Sequence, residues 1–200
     1  RHRPDPVSNY KRIGLLGGSF NPAHRGHLNI SLTALDSLDL DEVWWLVSPQ
    51  NPLKPYQGMA PYETRFASAE ARADDARIRV SHFERDHGTR YTAETVRALK
   101  KAWPEDNFVF LIGADNLIQF HKWRQWRQIF RLIPIAVFPR PSYSMRALKS
   151  RAAHRFVRQR VPEIYAKRLA SKRAPAWMFL HMAPDASSAT KIRARRRTVG

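Results

Sequence analysis

Six short apolar runs recur along the 200 residues: RIGLLGG (12–18), EVWWLVS (42–48), IRVSHF (78–83), NFVFLIG (107–113), IAVFP (135–139) and WMFLHM (177–182). Each is apolar on both faces, and segments with helical periodicity separate them. A strand that is apolar on both sides must be covered on both sides, which a parallel sheet flanked by helices achieves. The pattern therefore predicts an α/β fold, a doubly wound parallel sheet. Helical patterns fall at 26–38, 61–75, 91–103, 114–130 and 143–160 and at the end of the chain. No repeat, low-complexity stretch or linker interrupts them, so a single domain over 1–200 is expected, with 1–11 irregular and a helical C-terminal part.

In such a sheet, ligands bind beyond the carboxyl ends of the strands, near the point where strand order reverses. The segments after the runs are GGSFNPAHRGH, SPQNPLK, ERDHGTRYT, GADN, PRP and PDASSATK, and they hold most of the unusual residue combinations. The first is the richest. Gly17 and Gly18 allow a ligand to touch backbone, Asn21 and Pro22 shape a turn, and a helix begins near Ala23 or His24. His24 and His27, three apart, share one face of its first turn, and Gly26 leaves room for a bulky group. Amides at a helix start point at anions, and two imidazoles there donate hydrogen bonds to phosphate oxygens and hold more charge as negative charge builds up. The turn reads as a phosphate site. A His-x-x-His pair is also half of a zinc site, but no cysteine and no HExxH pattern supplies the rest, so no metal ligands are assigned.

Charge is unevenly spread. Residues 1–139 hold 19 Lys and Arg against 15 Asp and Glu, whereas 140–200 hold 16 against 2, a net +14. The excess suits a solvated helical face, capture of anionic substrates, or a polyanion surface. With no cysteine, a reducing compartment is compatible, and cytoplasm is the simplest assignment. No apolar run approaches the roughly 18 residues of a membrane span, and the first residues do not read as a signal peptide. The opening on Arg1 in place of methionine suggests a processed or truncated start.

GGSFNPAHRGHL (17–28) resembles the GxFxPxHxGH signature of the nucleotidyltransferase superfamily, and SSATKIR (187–193) resembles its SxTxxR signature. Within the superfamily the likeness is to bacterial nicotinate-nucleotide adenylyltransferases: NPLKP resembles their PPHK segment, RYTAET their SYTxxT, FLIGADNLIQFHKW their IIGxDxLxxFxxW, and FPRP their RRPG. The resemblance covers most of 12–197 and implies a Rossmann-like sheet of order 3-2-1-4-5-6. It also implies a reaction: the phosphate of nicotinate mononucleotide joins the α-phosphorus of ATP, with Mg2+, giving the dinucleotide and pyrophosphate. Because the attacking oxygen is already ionised, such an enzyme needs alignment and charge neutralisation but no protein nucleophile. The sequence indeed has no Ser-His-Asp or paired-carboxylate pattern.

By the same resemblance His24, His27 and Arg193 would act on the ATP phosphates. Gly17, Gly18, Ser19, Phe20, Gly113, Asp115, Ser188, Thr190 and Ile192 would line the ATP site, and Lys54, Thr92, Trp123 and Arg140 the mononucleotide site. Ser187 and Ser188 also read as a helix cap, and Asp115 as either a ribose or metal neighbour or a cap. Trp123 competes with Trp126, since two tryptophans three apart on a helix commonly pack in a core. Asn21 stands where the family frequently has Asp, and NPLKP lacks the PPHK histidine. Two other readings stay open: a sibling enzyme using phosphopantetheine or another phosphate acceptor, and a basic nucleic-acid-binding protein on the same fold, the less expected of the two. Homo-oligomer formation is compatible with the sequence.

Overall fold

The computed structural model describes residues 10–49 and 57–181. Six parallel strands, β1 (Arg12–Gly18), β2 (Glu42–Val47), β3 (Ile78–Ser81), β4 (Asn107–Gly113), β5 (Ile135–Phe138) and β6 (Trp177–Phe179), form one sheet in the order β3-β2-β1-β4-β5-β6. Order reverses between β1 and β4, which lie side by side with Ile13 opposite Phe108 and Leu15 opposite Phe110. This is the doubly wound arrangement expected from the apolar runs.

Alternation along each strand divides the core into two layers. Ile13, Leu15, Trp44, Leu46, Phe108, Phe110 and Ile112 face one side, with α3 (Phe83–His87), α4 (Thr92–Ala102), α5 (Ala114–Gln119), α6 (Trp126–Leu132), α7 (Ser144–Leu148) and α8 (Arg151–Arg155) supplying the cover. Leu16, Val43, Trp45, Val47, Val109 and Leu111 face the other, beneath α1 (Arg25–Ser37), α2 (Tyr62–Arg72) and a kinked 3₁₀ stretch at Glu163–Ser171. Burying a large apolar side chain in such layers contributes about 1.5–3 kcal/mol. Polar atoms are matched where they enter. The buried Trp45 indole donates to Ser31 Oγ at 2.8 Å, and Ser31 Oγ donates to the His27 carbonyl at 2.8 Å, tying the first turn of α1 to β2.

The structure departs from the sequence reading at several ends. The IRVSHF strand stops at Ser81; His82 caps α3 and Phe83 opens it, and as the sheet edge β3 is only partly covered, not apolar on both faces. The runs at 42–48 and 135–139 each end a residue early, and WMFLHM contributes only Trp177–Phe179. The 114–130 pattern is not one helix. α5 passes into a 3₁₀ turn at Phe120–Lys122, Trp123 is extended, and Gln125 adopts φ 54°, before α6 restarts. The 143–160 pattern likewise breaks into α7, α8 and a 3₁₀ turn, because the Ser150 side chain accepts from Ala153 N and starts a new helix there. Residues 1–9 and the helix expected at the end of the chain lie outside the described residues.

Candidate active site

The turn from β1 into α1 is set by contacts of its own residues. Phe20, at φ 51° and almost fully buried, tucks its ring between His27 and Trp45, with centroids 4.5 and 5.3 Å away. The Asn21–Pro22 bond is cis. Asn21 uses both ends of its amide: Nδ2 donates to Gly58 O at 3.0 Å and Oδ1 accepts from Ala60 N at 3.2 Å. An aspartate could not make the first bond, which gives Asn21 a bracing role in place of a charge. The fully charged brace is Arg65, 2% exposed, whose Nη1 donates to Ser19 O (2.8 Å) and Ser48 O (2.7 Å) and whose Nε donates to Ala60 O (3.0 Å). One guanidinium thus joins the β1 loop, the end of β2 and the start of α2.

α1 begins with an imidazole capping box. His24, at the N-cap, accepts from Gly26 N through Nδ1 at 3.0 Å, and His27 Nδ1 accepts from His24 N at 3.0 Å. The rings lie 3.9 Å apart, tilted by 34°. An amide can point only at a lone pair, so each Nδ1 is unprotonated and each Nε2 carries the hydrogen and is free to donate outward. Burial, with the Arg140 charge next and then that of Arg72, lowers the His24 pKa. Burial, then the charges of His24 and Arg140, takes His27 down to about 4. Both rings are therefore neutral donors at neutral pH, whereas the sequence suggested imidazoles that gather charge. The Gly26 reading changes too: a Cβ there would meet the His24 ring at 2.9 Å, so glycine makes room for the capping ring.

Opposite the histidines, across the switch point, β4 ends at Gly113, whose missing Cβ leaves space for Asp115 Oδ1 and Arg140 Nε, 2.5 and 3.3 Å from where that atom would be. Asp115, in the first turn of α5 and two residues past its Gly113 N-cap, pairs with Arg140 at 3.4 Å, and its Oδ1 has no hydrogen-bond partner. Arg140, held between Pro139 and Pro141 with Ser144 Oγ bonded to its own amide and carbonyl, contributes the field that lowers both histidine pKa values. It borders an open cleft of about 450 Å³ along with Ser142, Met145 and His181.

A second pocket, about 290 Å³, opens between the ends of β1 and β4. Gly17 and Gly18 form its floor, and Thr92 and Trp123 its wall, joined by Ser48, Asn116, Arg90 and Glu84. A Cβ on Gly17 would project into open space, and the nearest neighbours of one on Gly18 include His27 Nε2 at 4.0 Å, so pocket and histidine pair share a boundary. Trp123 stacks on Phe120 at 4.6 Å and leaves one face to the pocket, whereas Trp126 packs edge-on against Phe130 and Phe156. The extended backbone at Trp123 separates the two. The structure thus brings together Gly17, Gly18, Thr92 and Trp123 around one pocket and His24, His27, Asp115 and Arg140 beside it; Arg140 does not line the Trp123 pocket. Lys54, Ser188, Thr190, Ile192 and Arg193 lie outside the described residues.

The cytidylyltransferase-like family model matches residues 15–195. The chain belongs to that family. Within it, the chain is 51% identical to a Methylorubrum extorquens protein named "Probable nicotinate-nucleotide adenylyltransferase", over 92% of this chain and all of that protein. A Parvibaculum lavamentivorans protein of the same name is 50% identical over 92% of each chain. Among solved structures, the Plasmodium falciparum nicotinic acid mononucleotide adenylyltransferase complexed with NaAD superposes with a TM-score of 0.61 at 16% identity, covering 91% of this chain and 83% of that one, which shows a shared fold. As a family member the chain is a nucleotidyltransferase.

Arg65 and Glu84 went unnoticed in the sequence. Arg65 sits in an ordinary amphipathic helix pattern, and only its position among apolar neighbours, at 61–75, hinted at burial. Glu84 lies in ERDHGTRYT, one of the segments expected at the ligand end of the sheet, where nothing local separates it from the charged residues beside it.

Proposed function

We propose that the protein transfers the adenylyl group of ATP to the phosphate of nicotinate mononucleotide, releasing pyrophosphate and forming nicotinate adenine dinucleotide, a step in building NAD. The observation that carries this reading is the pair of Nδ1-anchored imidazoles with free Nε2–H groups, bordering across Gly18 a pocket with an exposed tryptophan face. A phosphate oxygen of the mononucleotide attacks the α-phosphorus, the bond to the bridging oxygen breaks, and the electron pair leaves with pyrophosphate. Negative charge grows on the leaving oxygens. His24 and His27 donate to it from fixed positions, without having to reorganise, the α1 amides add their dipole, and Arg140 supplies a full charge nearby. A flat, electron-poor pyridinium ring stacks on Trp123.

Among the described residues no group of three or more His, Asp or Glu forms a cage for a metal ion. Mg2+ usually keeps several waters and binds through substrate phosphates with one or two carboxylates, so the residues suit an ion that arrives with ATP, and Asp115, at the end of β4 and paired with Arg140, is the carboxylate that would face it. Such an ion would neutralise triphosphate charge. Among the described residues no helix is long and apolar enough to cross a membrane, and we place the enzyme in the cytoplasm.

The test is pyrophosphate release from ATP and magnesium with nicotinate mononucleotide, nicotinamide mononucleotide or phosphopantetheine. Release with the first at the highest kcat/KM is expected. Absence of release with it, or a preference for phosphopantetheine, would overturn the reading.

A further inference from the structure

One side chain in the acceptor pocket is chemically out of place. Glu84 is the sole acidic residue among those lining the pocket, and no described side chain hydrogen-bonds or ion-pairs with it. The proposed acceptor carries a phosphate and a carboxylate, so a carboxylate wall would oppose it. We propose that Glu84 makes acceptor capture proton-dependent: as the neutral acid it admits the anionic mononucleotide beside Trp123, and as the carboxylate it repels it. This rests on reading the pocket as the mononucleotide site.

The surroundings give Glu84 no hydrogen-bond or ion-pair partner among the described residues. On its own helix, Arg85 is directed to Glu63 at 2.8 Å and to Asp86 at 3.5 Å, and His87 stacks on Phe83. From the segment before α4, Arg90 lines the pocket as its one cation among the described residues and makes no ion pair with Glu84. β1 and β4 present Gly17, Gly18, Phe110 and Ile112, and α5 presents Asn116, while Asp115 is turned to Arg140. The β2 end presents Ser48. Burial pushes the Glu84 carboxyl up to about 7, inside the range where a cell's pH acts on it.

Repulsion between like charges several ångströms apart at an intermediate dielectric weakens binding on the order of tenfold. With a midpoint near 7, KM for nicotinate mononucleotide then rises about fivefold between pH 6 and pH 8. The experiment measures that KM across pH 6–8.5 in the wild type and in Glu84→Gln, which keeps the shape and cannot ionise. The ligand's own phosphate titration is common to both and cancels in the ratio. The expected result is a wild-type to variant KM ratio that climbs about fivefold from pH 6 to pH 8, bending upward near 7 and levelling off about one unit higher. A ratio that is flat with pH, or a variant KM raised equally at every pH, would overturn the inference while leaving the activity standing. Loss of pyrophosphate release with this acceptor in the wild type would remove the pocket assignment and the inference together. Should Glu84→Gln fail to fold, calorimetry of the wild type at pH 7.5 in two buffers of different ionisation enthalpy reads the same property. About half a proton taken up on binding the mononucleotide supports the gate; none taken up, or release, refutes it.

Discussion

The β1–α1 turn and the Trp123 pocket share Gly18 yet are built on opposite rules. In the turn most polar atoms are committed: both Nδ1 atoms, the Asn21 amide and the Arg65 Nε and Nη1 groups have partners at 2.7–3.2 Å, and Arg65 Nη2 is the exception. In the pocket the one carboxylate has no described partner and the tryptophan face is bare. The difference teaches where rigidity is useful. Groups that meet charge developing in a transition state gain by being fixed beforehand, whereas groups that choose a ligand must leave bonding capacity for it.

The sharpest way to break the contrast is His24→Ala or His27→Ala. Each should lower kcat/KM by 10²- to 10³-fold, roughly the loss of one fixed donor, with circular dichroism showing the fold intact. Gly26→Ala comes next. Its Cβ meets the His24 ring at 2.9 Å, so the cap is displaced at a cost of about 1 kcal/mol, and activity should fall about tenfold because the Nε2–H is re-aimed. The two tryptophans then sharpen the comparison. Trp123→Ala should raise acceptor KM about tenfold with little change in ATP KM, while Trp126→Ala, which removes packing against Phe130 and Phe156, should cost about 2 kcal/mol in a denaturant melt and leave acceptor KM nearly unchanged.

The smallest effect is on pH stability. His27 is lowered in the fold, so below its ordinary 6.5 the unfolded chain takes up a proton that the folded chain refuses. Stability should therefore be complete above about 6.5 and decline as pH falls towards 4, then flatten, by about 1–2 kcal/mol once solvent screening is allowed for. A His27→Gln protein should lack that share of the decline in melts at pH 7, 5.5 and 4.

What the chain reveals before folding divides along the same line. The sheet, its two-sided core and the turn that sets two imidazoles at the start of α1 were legible because each rests on local pattern: β-branched and aromatic runs, glycines at strand ends, imidazoles three apart. The strand order came from likeness to the family and was borne out by β3-β2-β1-β4-β5-β6. The break at Trp123 was not legible, since Phe120, Trp123, Trp126 and Phe130 keep helical spacings of three and four and nothing local marks the extended conformation at Trp123. The same holds for the neutral state of the histidines, which depends first on burial in the folded turn and then on charges that include Arg140, 113 residues from His27 in sequence. Glu84 could not be found by charge counting, because its meaning comes from the partners it lacks.

The central claim is that two neutral imidazoles, held by Nδ1, offer their Nε2–H groups together at the start of α1. Nitrogen-15 NMR of the histidine rings tests it directly. His24 and His27 should show a bare Nδ1 and a protonated Nε2 at pH 7, with His27 keeping that form until about pH 4. A proton on Nδ1 of either ring, or a His27 titration at its ordinary 6.5, would contradict the account.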